Sequence, residues 1–152
     1  LMDLHGVSVG GPGSKSVYIS NRTGVWKSTD RGQNWQDLNF ETFSDIRYSR
    51  GVETSPNDPN TLYACVGLNF GSEQGGVMRT TDGGDTWTRF DQGVKALSTT
   101  FGVAINEHSP EQIYFCTRKG QVFGTIDGGN SWKEHVLPEI AANVKAIACT
   151  SG

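Results

Sequence analysis

The densest group of chemically versatile side chains in this sequence lies at residues 45–50, which read Asp-Ile-Arg-Tyr-Ser-Arg. Two neighbouring guanidinium groups suit a carboxylate or a phosphate, because arginine donates paired hydrogen bonds to such anions. The alternative interpretation is that Arg47 and Arg50 are solvated or paired with Asp45 and Glu53. Which interpretation holds depends on the elements that position this segment.

Those elements repeat along the chain. Three octets, at residues 28–35, 80–87 and 125–132, share the pattern Ser/Thr-x-Asp-x-Gly-x-x-Trp. Each aspartate can close a turn by accepting main-chain N–H groups two or three residues on, and the glycine supplies a positive φ. The tryptophan begins the next strand, where its flat surface can pack on a neighbouring sheet. The octets therefore predict three equivalent hairpin turns.

Short apolar runs surround each octet in the same order, separated by turn residues. This order predicts a four-stranded antiparallel sheet, repeated in series. The three sheets are expected at residues 4–40, 50–90 and 100–136, in a single domain over residues 1–152. Residues 67–75 form an insertion in the second sheet, which is either a lid over a central pore between the sheets or a plain variable loop. Residues 144–149 read as the first strand of a fourth sheet, and the linker after the first sheet has room for a short helical turn.

Composition limits the classes of function. The net charge is −3 and the basic residues are scattered, which argues against a nucleic-acid partner. No apolar stretch approaches the roughly 20 residues needed to span a bilayer. Three cysteines without metal-type spacing (Cys65, Cys116 and Cys149) argue against a disulfide framework and a zinc site, so we expect buried thiols, no metal and no cofactor. Free thiols and the lack of a signal peptide weakly favour a cytoplasmic location.

The three octets resemble the Asp-box, or BNR repeat, of the sialidase-like superfamily. This superfamily includes sialidases, xyloglucanases, sortilin-type receptors and photosystem II assembly factors. The resemblance covers nearly the whole chain and implies an all-β fold of four-stranded propeller blades, here three blades plus one extra strand. It also implies a structural role for the residues at the Asp-box positions. These are Asp30, Gly32, Trp35, Asp82, Gly84, Trp87, Asp127, Gly129 and Trp132.

In sialidase-like propellers, the active site lies on the rim away from the Asp-boxes, and the resemblance implies a site on the same rim here. On that rim, which carries the linkers between blades, the sequence offers a set of polar and aromatic residues. They are His5, Asn21, Arg22, Asp45, Arg47, Tyr48, Arg50, Asn69, Phe70, Glu73, Lys95, Phe101, Arg118, Lys119, Asn143 and Lys145. From this set we select five candidate ligand-binding residues, which are Arg47, Arg50, His5, Phe70 and Lys145.

A catalytic site is less well supported. A sialidase needs three arginines around the substrate carboxylate, a tyrosine nucleophile paired with a glutamate, an aspartate acid and normally an Arg-Ile-Pro motif, which this chain lacks. A xyloglucanase needs two carboxyl groups roughly 6–10 Å apart. The weak catalytic candidates are Asp45, Glu73 and Tyr48.

The leading hypothesis is therefore a noncatalytic binding or scaffold propeller with a carbohydrate or protein ligand. The alternative is part of a glycoside hydrolase completed by residues outside this chain, and an inert half-propeller is a third.

Three blades and one strand cannot close a ring, so two apolar blade faces would remain bare. We therefore expect the missing blades to come from the rest of a longer protein, from another chain, or from a second copy. Two copies joined head to tail would give six blades around a two-fold axis.

Overall fold

The computed structural model describes residues 3–10, 13–141 and 143–150, and its regular structure is almost entirely β-strand. Twelve strands form three separate four-stranded antiparallel sheets, each with its strands in chain order. Two short 3-10 turns, at Phe40–Thr42 and Glu139–Ala141, complete the regular elements. The predicted fold class, a partial β-propeller, is confirmed.

The first sheet (blade 1) contains β1 (Leu4–Val9), β2 (Val17–Asn21), β3 (Gly24–Ser28) and β4 (Gln36–Asp37). The second (blade 2) contains β5 (Tyr48–Thr54), β6 (Leu62–Gly67), β7 (Gly75–Thr80) and β8 (Thr88–Arg89). The third (blade 3) contains β9 (Thr100–Ile105), β10 (Ile113–Thr117), β11 (Val122–Thr125) and β12 (Lys133–His135).

Each octet forms a turn between the third and fourth strands that is closed by one hydroxyl and one carboxylate. In blade 2, the Thr80 hydroxyl donates to Asp82 Oδ1 (2.6 Å) and accepts the N–H of Gly84 (3.1 Å). Asp82 accepts the backbone N–H and the hydroxyl of Thr86, at 2.9 and 2.6 Å. Residues at the same octet positions form the equivalent bonds in blades 1 and 3.

These turns differ in one respect from the sequence prediction. The aspartate accepts mainly the N–H four residues on and also the N–H three residues on, whereas the N–H two residues on donates to the hydroxyl two residues before the aspartate. The predicted positive φ of the glycine is present in all three turns. The φ values are +85° at Gly32, +103° at Gly84 and +92° at Gly129.

The same glycines allow consecutive blades to pack closely. A Cβ on Gly84 would lie 2.5 Å from Leu38 Cδ1 of blade 1, and one on Gly129 would lie 2.6 Å from Phe90 Cε2 of blade 2. Each of these two octet turns therefore sits directly against the end of the preceding blade's last strand, where only a residue without a side chain fits.

The octet tryptophans occupy the same interfaces. The Trp87 ring lies 4.9 Å from Phe40 of blade 1, and the Trp132 ring lies 5.4 Å from Phe90 of blade 2. Trp87 also donates its indole N–H to the Gly84 carbonyl oxygen (3.2 Å). The predicted wedge is thus present at both interfaces between blades.

Two apolar clusters fill these interfaces. The leading face of a blade is defined as the face turned toward the preceding blade, and the trailing face as the one turned toward the following blade. Between blades 1 and 2 the cluster contains Tyr18, Val25, Leu38, Phe40, Ile46, Val52, Leu62, Ala64, Val66, Met78 and Trp87. Between blades 2 and 3 it contains Tyr63, Cys65, Val77, Phe90, Val103, Ile113, Phe115 and Phe123.

Among the cysteines, Cys65 and Cys116 are buried as predicted, whereas Cys149 is only half-buried. Burial raises the pKa of the Cys116 thiol to about 11.

No helix in the described part of the chain has the length and apolar character needed to cross a membrane.

Residues 143–150 contain no strand in the structure, although the sequence predicts one at 144–149. The first strand of each blade is held by hydrogen bonds to the second strand, and no second strand lies beside this segment among the described residues. The segment nevertheless lies next to the first strand of blade 3, since a Cβ on Gly102 would lie 3.5 Å from the backbone nitrogen of Ile147. That it belongs to a fourth blade stays a prediction.

The two adjacent glycines of the third octet turn separate backbone strain from packing. Gly128 (φ +68°) has no atom near the position of a Cβ, whereas Gly129 has the Phe90 ring there. Gly128→Ala should cost about 1–2 kcal/mol for a non-glycine residue at positive φ. Gly129→Ala should cost about 1–3 kcal/mol more through overpacking. Urea unfolding of both variants measures the difference, and equal losses would contradict the proposed close packing.

Acid should destabilise the three turns together. Hydrogen bonds to the carboxylate lower the pKa of Asp30 and of Asp127 to about 2, and lower that of Asp82 well below its usual range. Because the folded pKa values are depressed, this stabilisation is complete above the ordinary value near 3.8 and is lost as the pH falls toward 2. Asp82→Asn should lower the melting temperature at pH 7 and flatten its decline between about pH 4 and 2. A decline as steep as that of the wild type would contradict this assignment.

Candidate functional site

The first strands of the blades lie side by side and line a groove. Equivalent triplets face it, each with a large or charged residue, then a small residue, then a β-branched residue. The groove encloses about 220 Å³, and the segment after blade 3 supplies a fourth triplet. The four triplets are His5-Gly6-Val7, Arg50-Gly51-Val52, Phe101-Gly102-Val103 and Lys145-Ala146-Ile147.

Three cations and two aromatic rings meet at the rim where these triplets begin. The rings of Phe70 and Phe101 lie 5.6 Å apart. The Arg50 guanidinium lies 4.8 Å from the centre of the Phe101 ring, and that of Arg118 lies 5.5 Å from Phe70. The Lys145 ammonium lies 5.5 Å from Phe101. We call these five residues the cationic–aromatic cluster.

The cluster has unused hydrogen-bonding capacity. The Nε atoms of Arg50 and Arg118 are buried and have no hydrogen-bond partner among the described residues. Neither guanidinium forms an ion pair with a described carboxylate. Cation–π contacts of about 0.5–2 kcal/mol each offset part of the repulsion between three like charges, but they leave the N–H donors free. A carboxylate or phosphate would supply both the missing acceptors and the counter-charge.

Blade 2's insertion (residues 67–75) positions one side of this cluster. It is tied to the linker before β9, because Thr99 donates its hydroxyl to the Asn69 carbonyl oxygen (2.5 Å) and its N–H to that of Ser72 (3.3 Å). The same linker accepts the backbone N–H of Arg118 through the Thr99 carbonyl oxygen (2.9 Å). Phe70 and Arg118 are therefore fixed through one shared segment. That the insertion acts as a lid, or is a plain variable loop, stays a prediction.

Three of the five predicted ligand-binding residues, Arg50, Phe70 and Lys145, meet in the cluster. His5 lies at the same rim on blade 1. Its Nδ1 donates a hydrogen bond to the Ser49 carbonyl oxygen (2.7 Å), and its ring centre lies 5.0 Å from that of Tyr48. The structure thus brings His5 and the catalytic candidate Tyr48 into ring contact beside the groove.

Arg47 is placed differently. It is exposed and pairs with Glu41 rather than with Asp45, and it takes no part in the cluster. The predicted alternative pairing of Arg50 with Glu53 is also absent among the described residues, since Arg50 stacks on Phe101 instead. The two arginines of segment 45–50 therefore lie on different surfaces: Arg47 is exposed to solvent, and Arg50 lines the groove.

The two carboxylate candidates are both exposed. Glu73 lies 3.7 Å from the Lys119 ammonium, at the edge of the cluster. Asp45 forms no hydrogen bond or ion pair within the described residues, and neither carboxylate lines the groove.

Phe101 and Arg118 belong to the cluster, although they were only two of many rim residues in the sequence. The signal for Phe101 was available in the repeat, because it occupies the same triplet position as Arg50. Arg118 follows β10, and only the fold brings it to Phe70.

Beyond the cluster, the groove continues along the first strands. A second cavity, of about 250 Å³, shares Glu53, Val103 and Ile147 with the first and also contacts Glu107. Arg50 and Lys145 thus lie at one end of the groove, Glu53 lies where the two cavities meet, and Glu107 lies in the second cavity.

A separate surface is the leading face of blade 1, which no described segment covers. Val7 is 65% exposed there, whereas its equivalent Val52 in blade 2 is 2% exposed. Trp35 is 36% exposed, against 3% for its equivalent Trp87. The resulting apolar groove encloses about 540 Å³. It is lined by Leu4, His5, Gly6, Val7, Val17, Ile19, Arg31, Gly32 and Trp35.

No protein-family model matches this chain. A curated relative is the photosystem II assembly lipoprotein Ycf48 of Synechococcus sp. (strain CC9902). It is 26% identical over 144 residues, which cover 90% of this chain and 38% of that protein. The chain therefore spans about two fifths of the relative's length.

Several solved structures resemble the fold. The GH74 xyloglucanase of Xanthomonas campestris has a TM-score of 0.69 at 18% identity, over 86% of this chain and 20% of that one. YCF48 from Cyanidioschyzon merolae has a TM-score of 0.62 at 20% identity, over 88% and 37%. A structure of YCF48 bound to D1 peptide has a TM-score of 0.62 at 18% identity, over 88% and 40%. At these identities the likeness establishes the β-propeller fold and nothing finer.

Glu53 offers a test of the charge distribution in the groove. Its side chain keeps contact with solvent, but partial desolvation by the groove walls raises its pKa from the ordinary 4.5 to about 6. The charged form therefore destabilises the fold above pH 6, and the effect vanishes below about pH 4.5. Glu53→Gln should raise the urea midpoint at about pH 8 and leave it unchanged at about pH 4. The exposed Glu111→Gln is the matched control and should change neither. A loss of stability at the higher pH would mean that Glu53 has a compensating cation.

Proposed function

We propose that this chain is part of a noncatalytic Asp-box propeller of the sialidase-like superfamily that binds a carboxylate-bearing segment of a protein partner. The binding surface is the cationic–aromatic cluster at the pore rim. The observation that carries the proposal is the presence of two buried guanidinium Nε atoms without acceptors among the described residues, beside a third cation and without a paired carboxylate.

One comparison and the chemistry of the cluster support a protein ligand. A YCF48 structure that shares this fold is bound to a peptide. Stacked cations on aromatic rings present N–H donors, whereas sugar recognition commonly uses open aromatic faces. Here Phe101 is buried against Arg50 and Lys145, and Phe70, which is about half exposed, has Arg50, Arg118 and Lys145 within 6 Å of its ring centre.

The Asp-box assignment is supported by the three turns. Hydroxyl, carboxylate, glycine and tryptophan occupy the same positions in each, and all three carboxylates are engaged in turn bonds. A role in turn closure leaves these aspartates unavailable for catalysis. We assign the nine residues of the Asp-box pattern to folding and not to ligand binding.

A glycoside hydrolase is the second candidate, favoured by the likeness to a GH74 xyloglucanase fold. Such an enzyme needs a pair of carboxyl groups flanking the sugar. Asp45 and Glu73 are the available pair on this rim, and both are exposed outside the groove. Turnover of xyloglucan or an aryl glycoside that is abolished by substitution of either residue would favour the enzyme and contradict our proposal.

The binding proposal is tested with a short peptide that carries one carboxylate. N-acetyl-tetra-alanine with a free carboxyl terminus should bind, and its C-terminal amide should not, in an NMR shift titration. Arg50→Gln should weaken binding about 10-fold or more, because a charge-assisted bidentate contact is lost. Arg22→Gln, an exposed arginine outside the cluster, is the control and should leave the affinity unchanged. Equal binding of the acid and the amide would overturn the proposal.

We also propose that the leading face of blade 1 is covered by the trailing face of another blade of the same repeat. The two internal interfaces carry this inference, because at both of them a tyrosine, a valine and a bulky apolar residue cover the equivalent face. These covering residues are Tyr18, Val25 and Leu38 in blade 1, and Tyr63, Val77 and Phe90 in blade 2.

The isolated chain should then self-associate through this face. Val7→Asp should shift sedimentation velocity toward the monomer while costing little stability, because Val7 is mostly exposed in the single chain. Val52→Asp, at the equivalent buried position, should unfold the protein. A wild-type chain that stays monomeric at high concentration would contradict the covered face.

A further inference from the structure

The groove lined by the first strands has cations at one end and unpaired carboxylates farther along it. Arg50 and Lys145 lie at the rim where the triplets begin. Glu53 lies farther along β5, and Glu107 follows β9 at the other end. The two cavities between these ends share wall residues, so they form one continuous channel.

The two charges on β5 are separated by a defined length. Arg50 and Glu53 are three residues apart on β5, and the pairing with β6 is irregular at Arg50, between Ser49 and Gly51. At about 3.3 Å per residue their backbones lie at most about 10 Å apart along the groove. An extended peptide has nearly the same rise per residue. Three peptide units therefore bridge the two charges.

Glu53 lacks a partner among the described residues. It forms no hydrogen bond or ion pair with any of them, and partial desolvation raises its pKa without an opposing cation. A partly desolvated carboxylate without a counter-ion gains free energy from an ammonium group of a ligand.

The walls between the two ends carry small side chains. The middle residue of each triplet is glycine or alanine, and Val103 and Ile147 line both cavities. Such walls admit a narrow main chain and provide no competing charge. The groove therefore suits an extended chain end better than a folded surface.

We propose that this groove binds an extended peptide whose positive group lies at Glu53 and whose carboxylate lies at Arg50 and Lys145, so that the groove accepts the chain in one direction. The inference rests on the proposed function, since it uses the same carboxylate site. It adds a second charge to the ligand, at a distance of about three residue spacings from the carboxylate.

Tetra-alanine with both termini free is the probe, because its ammonium and carboxylate are separated by three residue spacings. N-acetyl-tetra-alanine keeps only the carboxylate, and di-alanine with free termini keeps both charges at too short a spacing. In NMR titrations of the wild-type chain at about pH 7.5, free tetra-alanine should bind about 5-fold tighter than the acetylated peptide. Di-alanine should gain nothing over N-acetyl-di-alanine.

Glu53→Gln identifies the residue responsible. This isosteric variant should bind free and acetylated tetra-alanine equally, at the wild-type affinity for the acetylated peptide. Glu111→Gln, an exposed carboxylate outside the groove, should keep the preference of about 5-fold. Arg50→Gln should weaken both peptides.

The outcomes separate the two proposals. If acetylated tetra-alanine binds and Arg50→Gln weakens it, but the free amino terminus adds nothing, the carboxylate site stands and the directional groove is wrong. A preference that persists in Glu53→Gln also overturns the directional groove. If no peptide with a carboxylate binds better than its amide, the proposed function itself fails.

Discussion

The close contact between each octet turn and the preceding blade is the constraint on which the rest of this structure depends. A glycine at positive φ brings the turn within reach of Leu38 or Phe90, and the octet tryptophan then fills the space beside it. The hydroxyl and carboxylate of the same octet hold the turn in the shape that presents this glycine. One short pattern thus closes a hairpin and joins two sheets.

Because the blades are joined in this way, their first strands are brought side by side and the groove follows. A Cβ on Gly6 would lie 3.3 Å from Gly51 Cα, and one on Gly51 would lie 3.2 Å from the Phe101 carbonyl oxygen. The residue before each glycine is then placed at a common rim, where Arg50 and Phe101 meet. The cationic–aromatic cluster is therefore a product of blade packing, completed by the insertion that carries Phe70.

The repeat made the fold predictable from the sequence, because each strand and turn appears three times at equivalent positions. The triplets also placed Arg50 and Lys145 at the rim. The separation of Arg47 from Arg50 was not predictable, because it depends on Glu41 lying close enough to pair with Arg47. The contact of Arg118 with Phe70 likewise depends on the hydrogen bonds of Thr99, which no pattern in the sequence encodes. Local patterns thus set the framework, and contacts between distant loops set the site.

The small middle residue of each triplet has a consequence for how proteins of this architecture diversify. A Cβ on Gly6 or on Gly51 would lie only 3.3 or 3.2 Å from backbone of the next strand, so a larger residue at either position would displace that strand, whereas Gly102 has room for a Cβ at 3.5 Å from Ile147. The middle position therefore holds only small residues, glycine or alanine, while the residue before it faces the rim and is histidine, arginine, phenylalanine or lysine. New ligand preferences would therefore arise one blade at a time, through substitution of a single rim residue while the small residue after it is retained.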